Sequence, residues 1–198
     1  MTRVYFVRHA QPEHDWEDDR TRPLTEEGKK DSAIVLGFLK DKKIDAFYCS
    51  PYKRSVETIA EAADFFTKEI ITDERLRERE KGLDGNNHGM FRKRWADHNY
   101  HEEGGESIAM VQKRNIEALN EILSDNTDKD IVIGTHGTAL STILNFYDNS
   151  FGCEEFLRII DWMPYIIELD FEGDKLVGKQ EHCHVQKEFK GKQRADKK

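Results

Sequence analysis

Apolar positions along the chain come in two rhythms that alternate. Val4 to Val7 is a short unbroken apolar run and predicts a buried strand. Thr25, followed by Glu26 and Glu27, opens a helix whose Val35, Leu36 and Leu39 fall at helical spacing. Asp45 to Cys49 repeats the strand pattern. Ser50 and Pro51 then supply an N-cap and a first helical residue for a helix aligning Tyr52, Val56, Ile59, Ala60 and Ala63. Glu69 to Thr72 reads as a weaker third strand. A helix from about Ser107 to Ser124 places Ile108, Val111, Leu119, Ile122 and Leu123 on one side. Ile131 to Gly134 is again a strand, followed by a helix through Leu140, Ile143 and Leu144. Tyr165 to Phe171 and Lys175 to Gly178, separated by Glu172-Gly173-Asp174, predict an antiparallel hairpin at a sheet edge.

Strands alternating with helices predict an α/β fold with a mostly parallel sheet covered on both faces. One domain is expected over residues 1–186, because only four prolines interrupt the chain and no repeat or linker composition divides it. Residues 73–105 break the alternation: they are rich in glycine, asparagine and bases and poor in apolar positions. A stretch that long in a compact domain is expected to be functional and to cover an active site. Residues 187–198 carry six bases against Glu188 and Asp196 and read as a basic, flexible tail.

Composition narrows the class. Charged residues make up 35% of the chain and mean hydropathy is −0.80. Leu, Ile, Val and Phe together are nonetheless about 23% of the 198 residues, above the roughly 20% below which charged chains stay disordered. The formal net charge of −8 argues against nucleic acid and anionic membranes as partners. Cys49, Cys153 and Cys183 are odd in number and widely spaced, unlike a disulfide framework. No stretch approaches the roughly 18 apolar residues of a membrane span, and the chain starts almost at once with a strand. A cytoplasmic location is expected; the sequence assigns no oligomeric state.

The chemistry lies just after the strands, where open parallel sheets bind ligands. The first strand ends in Arg8-His9-Ala10, the second in Ser50-Pro51-Tyr52-Lys53-Arg54, and the Ile131 strand in Thr135-His136-Gly137. Arg8, His9, Arg54 and His136 form a group that contains no acid. Such convergence is costly unless an anion completes it, and phosphate is the natural one. A guanidinium grips two phosphoryl oxygens at once, and the helix starts after Ser50 and His136 aim N–H groups at the same place. Histidines add reactivity: a neutral imidazole kept unprotonated by nearby arginines can attack phosphorus. The leaving oxygen then needs a proton, and the loop offers Glu78 and Glu80.

These residues resemble a known family. "VRHAQ", "SPYKRSVETIAEA", "RLREREKG", "GGES" and "GTHGTAL" together, in order from Arg8 to about residue 145, look like the histidine phosphatase superfamily, also called phosphoglycerate-mutase-like. The resemblance implies a three-layer α/β/α sandwich. It also implies His9 as the phosphorylated nucleophile, Arg8, Arg54 and His136 with Gly137 as the phosphate pocket, and Glu78, in Leu76-Arg77-Glu78, as proton donor. No cofactor or metal is implied, and the substrate would be a small phosphorylated molecule. Ala10 stands where the family usually has glycine, and Gln11 where its mutases carry glutamate. Those departures, with the mutases' longer chains, favour a phosphatase over a 2,3-bisphosphoglycerate-dependent phosphoglycerate mutase. An inactive phosphate- or phosphoprotein-binding module is the alternative of another class; it would lack the nucleophile or the acid.

Other groups carry competing readings. Gln11 and Ser107 are candidate substrate contacts, although Gly104-Gly105-Glu106-Ser107 reads first as a turn with Glu106 in a first helical turn. His9, His14 and Asp15 lie close together, but without a recognised metal-ligand spacing. His182 and His184 would share one strand face as ordinary exposed residues. Arg92, Arg94, Trp95, His98, Tyr100 and His101 are candidates for selecting the substrate, while Phe91 and Trp95, at i and i+4, would anchor a short lid helix.

Overall fold

The computed structural model describes residues 1–83 and 88–188. Six strands form one sheet in the order β3-β2-β4-β1-β5-β6. β1 (Thr2–Arg8), β2 (Ala46–Cys49), β3 (Ile70–Thr72) and β4 (Asp130–Thr135) run parallel; β5 (Trp162–Glu172) and β6 (Lys175–Gln186) add an antiparallel edge. The helices are α1 (Glu26–Leu39), α2 (Lys53–Phe65), α3 (Phe91–Ala96), α4 (Ile108–Asp125), α5 (Gly137–Tyr147) and α6 (Cys153–Ile159).

Both faces of β1 are dry, which is why its apolar run is continuous. Val4 and Phe6 pack with Ile131, Ile133 and Leu119 on the side of α4, α5 and α6. Tyr5 and Val7 pack with Val35, Leu39, Ile59 and Val132 on the side of α1 and α2. The expected three-layer α/β/α sandwich with an antiparallel edge is the observed fold. Among the described residues, no helix is long and apolar enough to cross a membrane.

Several boundaries differ from expectation for identifiable reasons. α2 begins at Lys53, not Pro51, and Ser50 does not cap it; the Ser50 hydroxyl accepts from the Tyr52 N–H and meets His136 instead. The first two turns of α2 bury Arg54, Ser55 and Thr58, polar residues that apolar periodicity passes over. Glu106 precedes α4, which Ser107 caps by accepting from Met110 N–H at 3.2 Å. The hairpin strands run several residues further than predicted on both sides, and α6 had no strong periodic signal. A register shift between Ile166 and Ile167 separates the two histidines. His182 turns onto the Phe38 ring and bonds Glu168 at 2.7 Å, whereas His184 stacks on Trp162. Lys187 is not part of a loose tail: its ammonium is buried against Glu27 and Asp31. Residues 189–198, and the Asp84 to Asn87 part of the expected active-site loop, lie outside the described residues.

Candidate active site

β2, β4 and β1 are adjacent and parallel, so their carboxyl ends open on one side of the sheet and bring Arg54, His136 and His9 together. The His9 and His136 rings lie 5.2 Å apart between centroids, and Tyr52 stands 5.3 Å from His136. Both histidines are buried.

His9 Nδ1 lies 2.8 Å from the Ala10 carbonyl oxygen. A carbonyl only accepts, so Nδ1 carries the proton and the lone pair sits on Nε2. The Ala10 N–H in turn donates to Thr58 Oγ1, whose hydroxyl donates to the Arg54 carbonyl, tying the backbone beside His9 to α2. Burial, then Arg54 and Arg8, hold His9 well below the ordinary 6.5; burial, then Arg54 and His9, do the same to His136. His136 Nε2 is 2.7 Å from Ser50 Oγ, and its buried Nδ1 has no protein partner.

The two arginines are fixed from behind. Arg8 donates from Nη1 and Nη2 to the carbonyls of Ile159 and Ile160 at 2.6 and 2.9 Å, leaving its buried Nε without a partner. Burial pushes the Arg8 pKa down to about 10 against the opposing pull of Glu78 and Asp161. Gly137 lets this side chain lie close: a Cβ there would stand 3.1 Å from Arg8 Nη2. Arg54 turns Nη1 toward the Asp19 carbonyl oxygen at 2.6 Å and Asp19 Oδ1 at 3.3 Å.

Glu78 reaches the same place from the loop. Its carboxylate accepts from the N–H groups of Thr138, Ala139 and Arg79 at 3.0, 3.1 and 2.8 Å, so it sits on the N-terminus of α5. Glu80 is exposed. Arg114 clamps the Glu78 segment by donating to the carbonyls of Arg75, Arg77 and Glu78, and Glu106 holds Arg114 at 2.8 Å.

The remaining candidates do other things. Gln11 Oε1 accepts from the Thr25 hydroxyl at the start of α1, and Ser107 is the α4 cap. Phe91 and Trp95 both pack on Phe156 and anchor α3; Arg94 is buried against Glu102, and Arg92 pairs with Glu154. Among the described residues, no three His, Cys, Asp or Glu side chains gather as a metal site. Asp19 was missed: it is the acid that the sequence reading denied the cationic group. His14 was seen only as a metal candidate. Its pKa is pushed down to about 4 by desolvation, then Arg22 and Arg8.

Residues 4–159 match the model of the histidine phosphatase superfamily, branch 1. The chain belongs to that superfamily. It is 29% identical over 154 residues to phosphoserine phosphatase 1 of Hydrogenobacter thermophilus, covering 69% of this chain and 71% of that one. The fold is similar to Bacillus stearothermophilus YhfR, with a TM-score of 0.76 and 22% identity over 89% of this chain and 95% of that one. It is also similar to Entamoeba histolytica phosphoserine phosphatase in complex with 3-phosphoglyceric acid. There the TM-score is 0.74, with 22% identity over 95% of this chain and 98% of that one. Fold, family and phosphatase class therefore agree with the sequence reading.

Proposed function

We propose that this phosphatase hydrolyses small phosphorylated metabolites without a metal ion, through a phosphohistidine on His9. The observation that carries the reading is the Nδ1 bond to Ala10, which leaves Nε2 as a lone pair among Arg8, Arg54 and His136. The phosphoserine phosphatase among the relatives supports a metabolite-sized substrate.

In the first step Nε2 attacks phosphorus and the P–O bond to the leaving group breaks. Glu78, as a carboxylic acid, gives its proton to the departing oxygen. The Arg8 Nε–H, the outward edge of Arg54 and the His136 Nδ1–H neutralise the equatorial oxygens of the transferring group. In the second step the Glu78 carboxylate takes a proton from water as its oxygen bonds phosphorus. The N–P bond breaks, and phosphate leaves His9 neutral again.

The test is turnover of an aryl phosphate and of 3-phosphoglycerate with chelator, with and without 2,3-bisphosphoglycerate. Free phosphate is expected without primer and undiminished by chelator, and His9→Ala abolishes turnover while phosphate still binds. Loss on chelation with recovery on a divalent ion overturns the metal-free scheme. Primer-dependent isomerisation assigns the mutase reaction, and phosphate binding without any turnover assigns a binding module.

A further inference from the structure

The geometry points to Asp19 as the positioning residue for Arg54, an inference that rests on the phosphate-pocket reading above. Asp18 sets up the turn: its carboxylate accepts from Arg20 N–H, Thr21 N–H and the Thr21 hydroxyl, the last at 2.6 Å. The chain is held there from both sides, because the Arg20 carbonyl accepts from Lys53 N–H at 2.9 Å and the Arg20 guanidinium pairs with Glu74. The turn delivers two oxygens of one residue to the single nitrogen Nη1 of Arg54: the Asp19 carbonyl as hydrogen-bond acceptor and Oδ1 as ion-pair partner.

Nη1 donates its hydrogen bond to the Asp19 carbonyl, and the Asp19 carboxylate holds the same nitrogen as an ion pair at 3.3 Å. The Nε and Nη2 edge of the same planar fork meets no acceptor among the described residues, and it is the edge that grips two oxygens of a phosphoryl group. A buried arginine at a helix start has several rotamers; Asp19 selects the one that presents this edge. The same Oδ1 takes Arg22 Nη1 at 2.9 Å and Lys81 Nζ at 3.5 Å. Lys81 lies three residues beyond Glu78, and its backbone bridges to Gly105. The carboxylate thus also ties the loop that carries the acid to the loop that orients the fork.

Orientation and charge make opposite predictions. A carboxylate that merely stood near the pocket would repel phosphate, and its removal would tighten binding. A positioning carboxylate matters most to the transition state, whose equatorial oxygens need the fork in place. Asp19→Asn and Asp19→Ala are therefore compared with the parent for kcat/KM on an aryl phosphate, for inhibition by vanadate and phosphate, and for melting temperature. The same substitutions are made in an Arg54→Ala background.

Asp19→Ala is expected to lower kcat/KM about tenfold and weaken vanadate by a similar factor, with phosphate changing less than about threefold. Asp19→Asn, which keeps an acceptor, loses less. Neither should matter to vanadate binding once Arg54 is absent. Tighter phosphate binding with unchanged turnover overturns the proposal, as does an equal loss with or without Arg54. If Arg54→Ala itself leaves vanadate and phosphate binding intact, the pocket reading fails; if it weakens both while Asp19→Ala changes neither, only the role of Asp19 fails.

Discussion

Three backbone N–H groups converge on the Glu78 carboxylate, two of them from the first turn of α5. That places the proposed acid at fixed geometry beside the proposed phosphate pocket and makes its loss easy to read. Glu78→Gln keeps the shape but cannot give a proton. The expected result is a kcat/KM loss at least about tenfold greater on an alkyl phosphate than on an aryl phosphate, whose phenolate leaves without help. Equal losses on both substrates would remove Glu78 from the acid's role. Arg8, His9, Arg54, His136 and Glu78 were legible because each stands at a strand end or in a recognised motif. Asp19 was not, since its partner lies 35 residues away and only the folded loop shows the contact. Gln11 is a candidate substrate contact by its place in the family motif, yet its amide oxygen faces Thr25, a matter of local turn geometry.

The start of α5 shows how an element serves the site. Its first residue is Gly137, and the Arg8 guanidinium occupies the space a side chain would need, with Cζ 3.2 Å from a Cβ built there. Arg8 cannot yield easily, because the carbonyls of Ile159 and Ile160 hold it. Gly137→Ala is expected to raise KM for an aryl phosphate several-fold while the protein stays folded, since alanine suits a helix start. Steady-state kinetics with a melting curve check this; an unchanged KM would show that Arg8 adjusts freely. Apolar periodicity located nearly every element, most clearly where α4, β1 and β4 bury long apolar faces. It failed where the buried residues are polar, as with Arg54, Ser55 and Thr58 in α2, and where a register shift reverses the alternation, as at His182. Arg54 is one of those buried polar residues, so the misplaced start of α2 coincides with the candidate site.

Over the whole molecule, an acidic chain of net charge −8 carries a cationic pocket at its core, and the cost of that arrangement depends on pH. His9 and His136 are buried and neutral, each held below the ordinary 6.5. In the unfolded chain both take up protons near 6.5; in the folded protein they resist. As pH falls below 6.5 the unfolded state binds more protons, so stability present above 6.5 is progressively lost. The carboxylates held below their usual values, Glu102 and Glu106 from 4.5 and Asp148 from 3.8 down to about 2, add to the loss only at lower pH. Between pH 6.5 and about 5 the histidines therefore dominate, each contributing up to about 1.4 kcal/mol per pH unit. Urea unfolding across that window is expected to show stability falling with pH, and His9→Ala is expected to flatten the slope. An identical slope in the variant would mean that His9 takes up its proton as readily when folded as when unfolded. The proposed nucleophile would then lack the electrostatic support that Arg8 and Arg54 are placed to give.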